Sequence, residues 1–345
     1  MAERNYLVPR ADEGERYLEA LRRIIDREQI DVLIPNNDLE VPVIADARET
    51  LNARTLLPSS ATIRRCQDKF ALHQFLAGNG LSTSETHPIR ELGEVDAAIG
   101  RFPPGATLWC RMRRGNGSKG ALPVKTAEQA IAWIKYWNEM RGVPIDSFTL
   151  GEYLPGRDFA FQSLWHHGKL VIAKTCERLE YLYAGFMPSG TSSTPRVGRL
   201  TANEEVNDAC VRAISALDPD ASGMFCVDLK ENEQGVPIIT EINVGRFFQI
   251  SEAFNTVGEY NMAELFVRLS LRRIGGAARS SAIFGYRREA DLPAAGHGSL
   301  SDCYRGRRNG QALPAPLTSL RCFALPDRHP EAGLSKSSDQ LRITT

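Results

Sequence analysis

Read as a succession of apolar and polar positions, the chain separates into helical, strand-like and patternless stretches. Between residues 12 and 29, Tyr17, Leu18, Leu21, Ile24 and Ile25 recur at helical spacing with charges between them, which predicts an amphipathic helix. Asp31-Val32-Leu33-Ile34-Pro35 reads as a short buried strand, residues 38–53 as a second helix and 55–57 as another brief strand. Strand and helix alternating in this way predict a small parallel α/β unit that opens on a helix. Residues 62–78 predict one further helix, carrying Asp68-Lys69 and the apolar set Phe70, Leu72, Phe75 and Leu76, and stopped by Gly78-Asn79-Gly80.

A linker over 83–88 then leads to a helix near 91–101, a strand at 108–112 and a strand at 121–124. An amphipathic helix is expected over 126–140, with Ala130, Ile131, Ile134 and Trp137 inward. Strands follow at 148–154, 158–166 and 170–176. Residues 177–199 are rich in glycine, serine and proline and read as a loop. Thr201, with Glu204 three residues on, predicts a capped helix to about residue 217, and 262–274 a last one. Beyond Gly275 the periodicity stops. Residues 275–345 hold no valine, isoleucine only at 283 and 343, and nine arginines against one lysine. An unstructured tail is expected there.

The stretch with the most chemistry is 223–246, GMFCVDLKENEQGVPIITEINVGR. Two apolar runs joined by Glu231-Asn232-Glu233-Gln234-Gly235 predict a β-hairpin. Alternation along a strand puts Glu241 and Asn243 on one face, with Asp228 opposite or diagonal to Glu241. Two carboxylates and an amide oxygen on one patch suit Mg²⁺, which keeps several waters and is completed by substrate phosphates. A solvated polar face on an edge strand has the same pattern. The segment Arg113-Arg114-Gly115-Asn116-Gly117-Ser118-Lys119-Gly120 lies between two strands. Its backbone N–H groups can cradle phosphate, and it can equally be a plain Asn-Gly turn.

Composition narrows the partners. The 345 residues suffice for more than one domain, and 42 basic against 42 acidic residues leave no net charge to attract nucleic acid or an anionic membrane. The seven cysteines form no C-x-x-C pair or Cys/His metal spacing. No apolar run approaches a membrane span, and the first 30 residues lack an apolar signal core, so a cytoplasmic protein is expected. His73, His87, His166 and His167 read as surface or structural residues.

Taken together, these motifs resemble the ATP-grasp superfamily, most closely the branch that looks like the large subunit of carbamoyl-phosphate synthase. The resemblance covers residues 15–273. It implies an α/β (α+β) chain with two lobes gripping ATP. Residues 1–60 would form a truncated, Rossmann-like domain, and 61–274 the ATP-grasp domain, its small lobe at about 106–150 and its large lobe at about 151–274. By resemblance, Lys69 and Arg111 contact ATP phosphates, and Gly115, Gly117, Ser118 and Gly120 belong to a flap over them. The run Glu152-Tyr153-Leu154-Pro155-Gly156-Arg157-Asp158 looks like the interlobe linker, with Glu152, Tyr153 and Leu154 on adenine and Asp158 on ribose. Asp228, Glu241 and Asn243 match the Mg²⁺ (or Mn²⁺) ligands, and Arg246 the arginine that follows them.

Two departures stand out. The opening strand and helix of the family are missing, and Val244-Gly245 replaces a proline, placing Arg246 three residues beyond Asn243 rather than two. Arg178, Tyr181, Tyr183, Ser189 and Ser192 fall where the family admits its acceptor, and Arg178 can hold a carboxylate bidentately. The implied activity is ligation of a small-molecule carboxylate to an amine through an acyl phosphate, with ATP converted to ADP and phosphate. Nucleotide binding without turnover, and carboxyphosphate chemistry of the carbamoyl-phosphate synthase or biotin carboxylase kind, are the alternatives. The substrates, and the choice between monomer and homodimer, are left open.

Overall fold

The computed structural model describes residues 4–115, 117–192, 195–247 and 260–271, with two strand segments at 283–284 and 322–324. The N-terminal part runs α1 (Glu15–Glu28), β1 (Val32–Ile34), α2 (Glu40–Ala47), α3 (Ser60–Gln67) and α4 (Lys69–Gly78). The stripe Tyr17, Leu18, Leu21, Ile24 and Ile25 is the buried face of α1, which ends at Gln29 in the left-handed conformation.

A first sheet follows, built from β2 (Thr86–Ile89), β3 (Leu108–Met112), β4 (Leu122–Val124) and β5 (Phe148–Glu152) in the order β2-β5-β3-β4. All its pairings are antiparallel. The helices α5 (Val95–Ile99) and α6 (Ala127–Arg141) close a core with its Leu108, Cys110, Phe148 and Leu150 face. Trp109 and Arg111 therefore lie on the opposite face of β3.

The second sheet holds β6 (Asp158–His166), β7 (Lys169–Tyr181), β8 (Pro195–Thr201), β9 (Gly223–Glu231) and β10 (Pro237–Val244). Its path is β10-β9-β6-β7, with β8 against β7. The helix α7 (Glu204–Leu217) covers the face carrying Phe159, Phe161, Phe225 and Val227, in a core continuous with the residues of α1, α2 and α3. Burying a large apolar side chain contributes about 1.5–3 kcal/mol, so this face is fixed and the polar one is turned outward. At one end of that outward face α8 (Met262–Ser270) packs on Leu164, Ile172 and Met224. The rest of it carries the charged residues.

Several expectations change. Residues 62–78 are not one helix. Asp68 is extended and breaks the run, its carboxylate accepting from the Phe70 and Ala71 N–H groups that begin α4. Residues 83–88 are not merely a linker, since Thr86–Ile89 pairs with β5. The second helix is shorter, ending in a single 3₁₀ turn at Arg48–Thr50, and 55–57 form no strand. Residues 177–199 are not a loop throughout. β7 continues to Tyr181 and pairs with β8, and a 3₁₀ turn at Ala184–Phe186 lies in the connection between them. Thr201 lies in β8, and Asn203 caps α7 by accepting from the Val206 N–H.

The tail expected over 275–345 lies outside the described residues except at two strands, where the chain is paired. β11 (Ile283–Phe284) runs parallel to β7, and β12 (Cys322–Ala324) parallel to β1. Residues 272–274 of the last expected helix also lie outside the description. Cys66, Cys110, Cys176, Cys210 and Cys226 are buried free thiols. No helix among the described residues is long and apolar enough to cross a membrane.

Candidate functional site

The hairpin β9–β10 forms in the register that makes Asp228 and Glu241 direct cross-strand partners, with Asn243 opposite Cys226. A bulge at Thr240, between Ile239 and Glu241, shifts the alternation by one residue. Ile239 and Ile242 can then both reach the core, while Glu241 and Asn243 face outward beside Asp228. The Asn243 amide N–H₂ donates to Asp228 Oδ2 at 3.0 Å and Glu241 Oε1 at 3.3 Å.

Cations approach this pair from three other elements. Lys69, at the start of α4, lies 3.1 Å from Glu241 Oε2 and donates to the Gly115 carbonyl at 2.6 Å, tying the glycine-rich segment to the pair. Arg111 comes from β3 and donates to the Thr240 carbonyl at 3.1 Å, one residue from Glu241. Arg178, on β7, bridges Asp158, at 3.0 Å, and Asp228. Tyr181 donates to the other Asp158 oxygen at 2.6 Å.

The two carboxylates titrate as a pair and move in opposite directions. Burial alone would raise Glu241, but Lys69 and Arg111 beside it hold it well below the usual carboxylate range. Burial and the negative Glu241 raise Asp228 against the pull of Arg178. Asp228 is thus the member that takes up a proton first. Its contact with Arg178 and the raised pKa of that guanidinium both favour the ionised form, and the cost of burying two adjacent carboxylates outweighs them.

Arg246 reaches the same patch despite its displaced position. Gly245 has φ +76°, and a Cβ there would stand 2.8 Å from side-chain carbons of Val41 and Leu57. This left-handed kink, which glycine adopts without penalty, turns Arg246 back. Its guanidinium donates to Asn243 Oδ1 at 3.1 Å and to Asp38 Oδ2 at 3.2 Å.

The remaining expected residues lie around this centre. Tyr153 and Leu154 lie on the crossover from β5 to β6, and so from one sheet to the other, with Glu152 closing β5. Burial, with Glu85 and Glu233 nearby, raises the Glu152 carboxylate. The Tyr153 ring stands 6.0 Å from Trp109 and 5.8 Å from the Lys230 ammonium. Gly115, Gly117 and Gly120 all have positive φ, as has Ser118, whose hydroxyl lies 3.3 Å from that of Thr191. Ser189 is buried and donates to the Thr191 carbonyl at 3.1 Å, and Tyr183 is exposed. Ser192 donates to the Leu182 carbonyl, within its own connection. Arg178, expected to hold a substrate carboxylate, donates from its two terminal nitrogens to Asp158 and Asp228.

Three residues of the site were given no role in it from the sequence. Asp38 closes the site through Arg246. It lies four residues beyond the end of β1, in the connection to α2, and the ends of strands are where ligand-facing residues collect. Arg113 pairs with Asp68 at 2.8 Å. His73 sits four residues after Lys69 on α4, a spacing that shares a helix face, and it touches Arg111.

The donor set can be tested against a metal. Among the described residues, no group of three or more His, Cys, Asp or Glu side chains is placed to hold one. Asp228, Glu241 and the Asn243 amide supply hard oxygens but too few of them. That is what a Mg²⁺ site completed by phosphate oxygens and water needs. The Asn243 oxygen now faces Arg246, so ligation requires the amide to turn over.

No protein-family model and no curated protein matches the chain by sequence. Solved structures do match by shape. An L-amino acid ligase from Bacillus licheniformis aligns with TM-score 0.58 at 17% identity, over 79% of this chain and 65% of that one. A biotin carboxylase from Campylobacter jejuni, in complex with β,γ-ATP, aligns with TM-score 0.61 at 12% identity, over 78% and 61%. A D-alanine–D-alanine ligase from Bacillus anthracis gives 0.52 at 16% identity, over 73% and 83%. The chain thus spans a little under two thirds of the first two. At these identities the likeness is one of fold.

Proposed function

We propose that this chain, which has the ATP-grasp fold, is an ATP-dependent ligase that activates a small-molecule carboxylate as an acyl phosphate for attack by an amine. The carrying observation is the convergence of Asp228, Glu241 and Asn243 with Lys69 and Arg111 from separate elements. Phosphoryl transfer depends on positioning and charge stabilisation rather than on a side-chain nucleophile, and this cluster supplies both.

In this reading Lys69 and Arg111 neutralise the phosphates, while the flap 115–120 lies over them, tied to Lys69 through the Gly115 carbonyl. Asp228, Glu241 and Asn243 are the residues that would hold Mg²⁺, which when bound would supply charge neutralisation to the nucleotide's phosphates. The crossover at Tyr153 and Leu154 receives the adenine. Arg178 holds Asp228 and Asp158 in place rather than gripping substrate. Arg246, whose guanidinium spans Asn243 and Asp38, is the candidate for the acceptor or the substrate carboxylate. The likeness to an L-amino acid ligase and a D-alanine–D-alanine ligase supports amino acids as the first substrates to try.

The test is a screen of carboxylate and amine pools for ADP release by the purified protein, with Glu241→Ala alongside. Release that needs both pools and is lost in the variant supports the reading. Nucleotide binding without release from any pool would favour a binding protein instead.

A further inference from the structure

His73 is 3% exposed and lies where four segments of the chain meet. It projects from α4. Its Nδ1 stands 2.9 Å from the Thr83 hydroxyl and 3.3 Å from that of Ser84, and its Nε2 lies 3.1 Å from Arg111 Nη2 and 3.1 Å from the Thr240 carbonyl. Arg111 Nη2 also donates to that carbonyl at 3.1 Å.

The proton inventory follows from chemistry. A guanidinium only donates, and a carbonyl only accepts. Nε2 stands 3.1 Å from a donor, Arg111 Nη2, and 3.1 Å from an acceptor, the Thr240 carbonyl, so each tautomer satisfies one of the two; with Nε2 unprotonated, the two hydrogens of Nη2 divide between Nε2 and the Thr240 oxygen. The ring proton then sits on Nδ1 and is donated to Thr83. Burial and the neighbouring Arg111 pull the ring pKa down to about 4, so the neutral form is the one present near neutrality.

We propose that His73, with its ring proton on Nδ1, is a positioning residue for phosphate binding: its Nε2 accepts from Arg111 Nη2 and fixes that end of the guanidinium beside the Thr240 carbonyl. The proposal rests on the reading of Arg111 as a phosphate contact. The other available anchor, the Thr240 carbonyl, lies at the bulge one residue before Glu241. The same ring thus sets Arg111 relative to the carboxylate pair, across the two sheets. Without the imidazole, Arg111 keeps, among the described residues, its bond to the Thr240 carbonyl, and its long side chain regains rotamer freedom, which ATP must then remove.

The test uses titration calorimetry of the full chain with MgATP and, separately, with adenosine, which lacks phosphates. His73→Gln places an amide oxygen near the position of Nε2, whereas His73→Asn reaches only as far as Nδ1, and His73→Leu has no acceptor. Weakening of MgATP by about tenfold in the Asn and Leu variants, recovery to within about threefold in Gln, and adenosine affinity unchanged throughout are expected. The double variant Arg111→Ala/His73→Leu should bind MgATP no more weakly than Arg111→Ala alone.

A purely structural role would lower both affinities together, would not distinguish Gln from Asn, and would overturn the proposal. If Arg111→Ala leaves MgATP affinity unchanged, the phosphate assignment itself fails. If Arg111→Ala weakens binding and His73→Asn does not, only the positioning role is lost. Should His73→Leu fail to fold, the Gln and Asn pair decides.

Discussion

Glu241 and Asp228 face each other across one strand pair, yet their surroundings give them different duties. Glu241 is held ionised by Lys69 and Arg111, which under the proposed function makes it the stronger of the two candidate cation ligands. Glu241→Ala is accordingly expected to lower Mg²⁺-dependent turnover by about 10²–10³, the usual effect of losing one electrostatic contact in a transition state. Its melting temperature should stay close to that of the parent, because Lys69 keeps the Gly115 carbonyl. Near-parental turnover would remove the assignment.

His73 makes a pH prediction at the same scale. Its folded pKa is about 4 against an ordinary 6.5, with Arg111 and Lys69 the charges that face it. The unfolded chain therefore takes the proton first, and stability is complete above about pH 6.5 and lost as pH falls toward 4. From this group alone, stability should be about 2 kcal/mol lower at pH 5 than at pH 7. Denaturant titrations of the parent and His73→Gln at the two pH values measure the difference, and a parent curve no steeper with pH than the variant would contradict it. The grouping of Glu241 with Asn243 was legible because alternation alone places them on one face. His73 was not, since a lone histidine on an apolar helix carries no mark of its partner.

At the level of elements, the sequence conveyed periodicity well and interruptions badly. The stripe of α1 and the hairpin β9–β10 stand where their patterns put them. The break at Asp68 was hidden because the apolar spacing continues through it. Asp68→Ala removes both the cap of α4 and the partner of Arg113. A loss of about 1–3 kcal/mol in chemical denaturation is expected, and no loss would mean that packing alone bends the chain there. Strands β2 and β8 were missed for another reason. β2 carries Pro88 on the edge of its sheet, and β8 is a largely exposed edge strand with proline and glycine, so neither shows alternation. The bulge at Thr240 was equally invisible, though the placement of Arg111 depends on its carbonyl.

For the molecule as a whole, the order of motifs along the chain was enough to suggest two lobes around a nucleotide, and the matching structures share that fold. Contacts between distant segments were out of reach. Arg246 and Asp38, 208 residues apart, join the N-terminal unit to the hairpin, and no local pattern announces such a pair. Asp38→Ala strands a largely buried guanidinium. A stability loss of about 1.5–3 kcal/mol is expected by denaturant titration, together with weaker binding of whatever Arg246 holds. Unchanged stability would show that the unit is held by its apolar core alone.

The central claim, that the cluster around Glu241 transfers the γ-phosphoryl group of ATP to a carboxylate, is tested most directly by the identity of the nucleotide product. Cation-bound β- and γ-phosphates favour departure of ADP, whereas attack at the α-phosphate releases AMP and pyrophosphate. Chromatography of a reaction with ATP, Mg²⁺, amino-acid carboxylates and hydroxylamine should show ADP and phosphate, with the acyl phosphate trapped as a hydroxamate. AMP with pyrophosphate, and a hydroxamate formed alongside them, would contradict it.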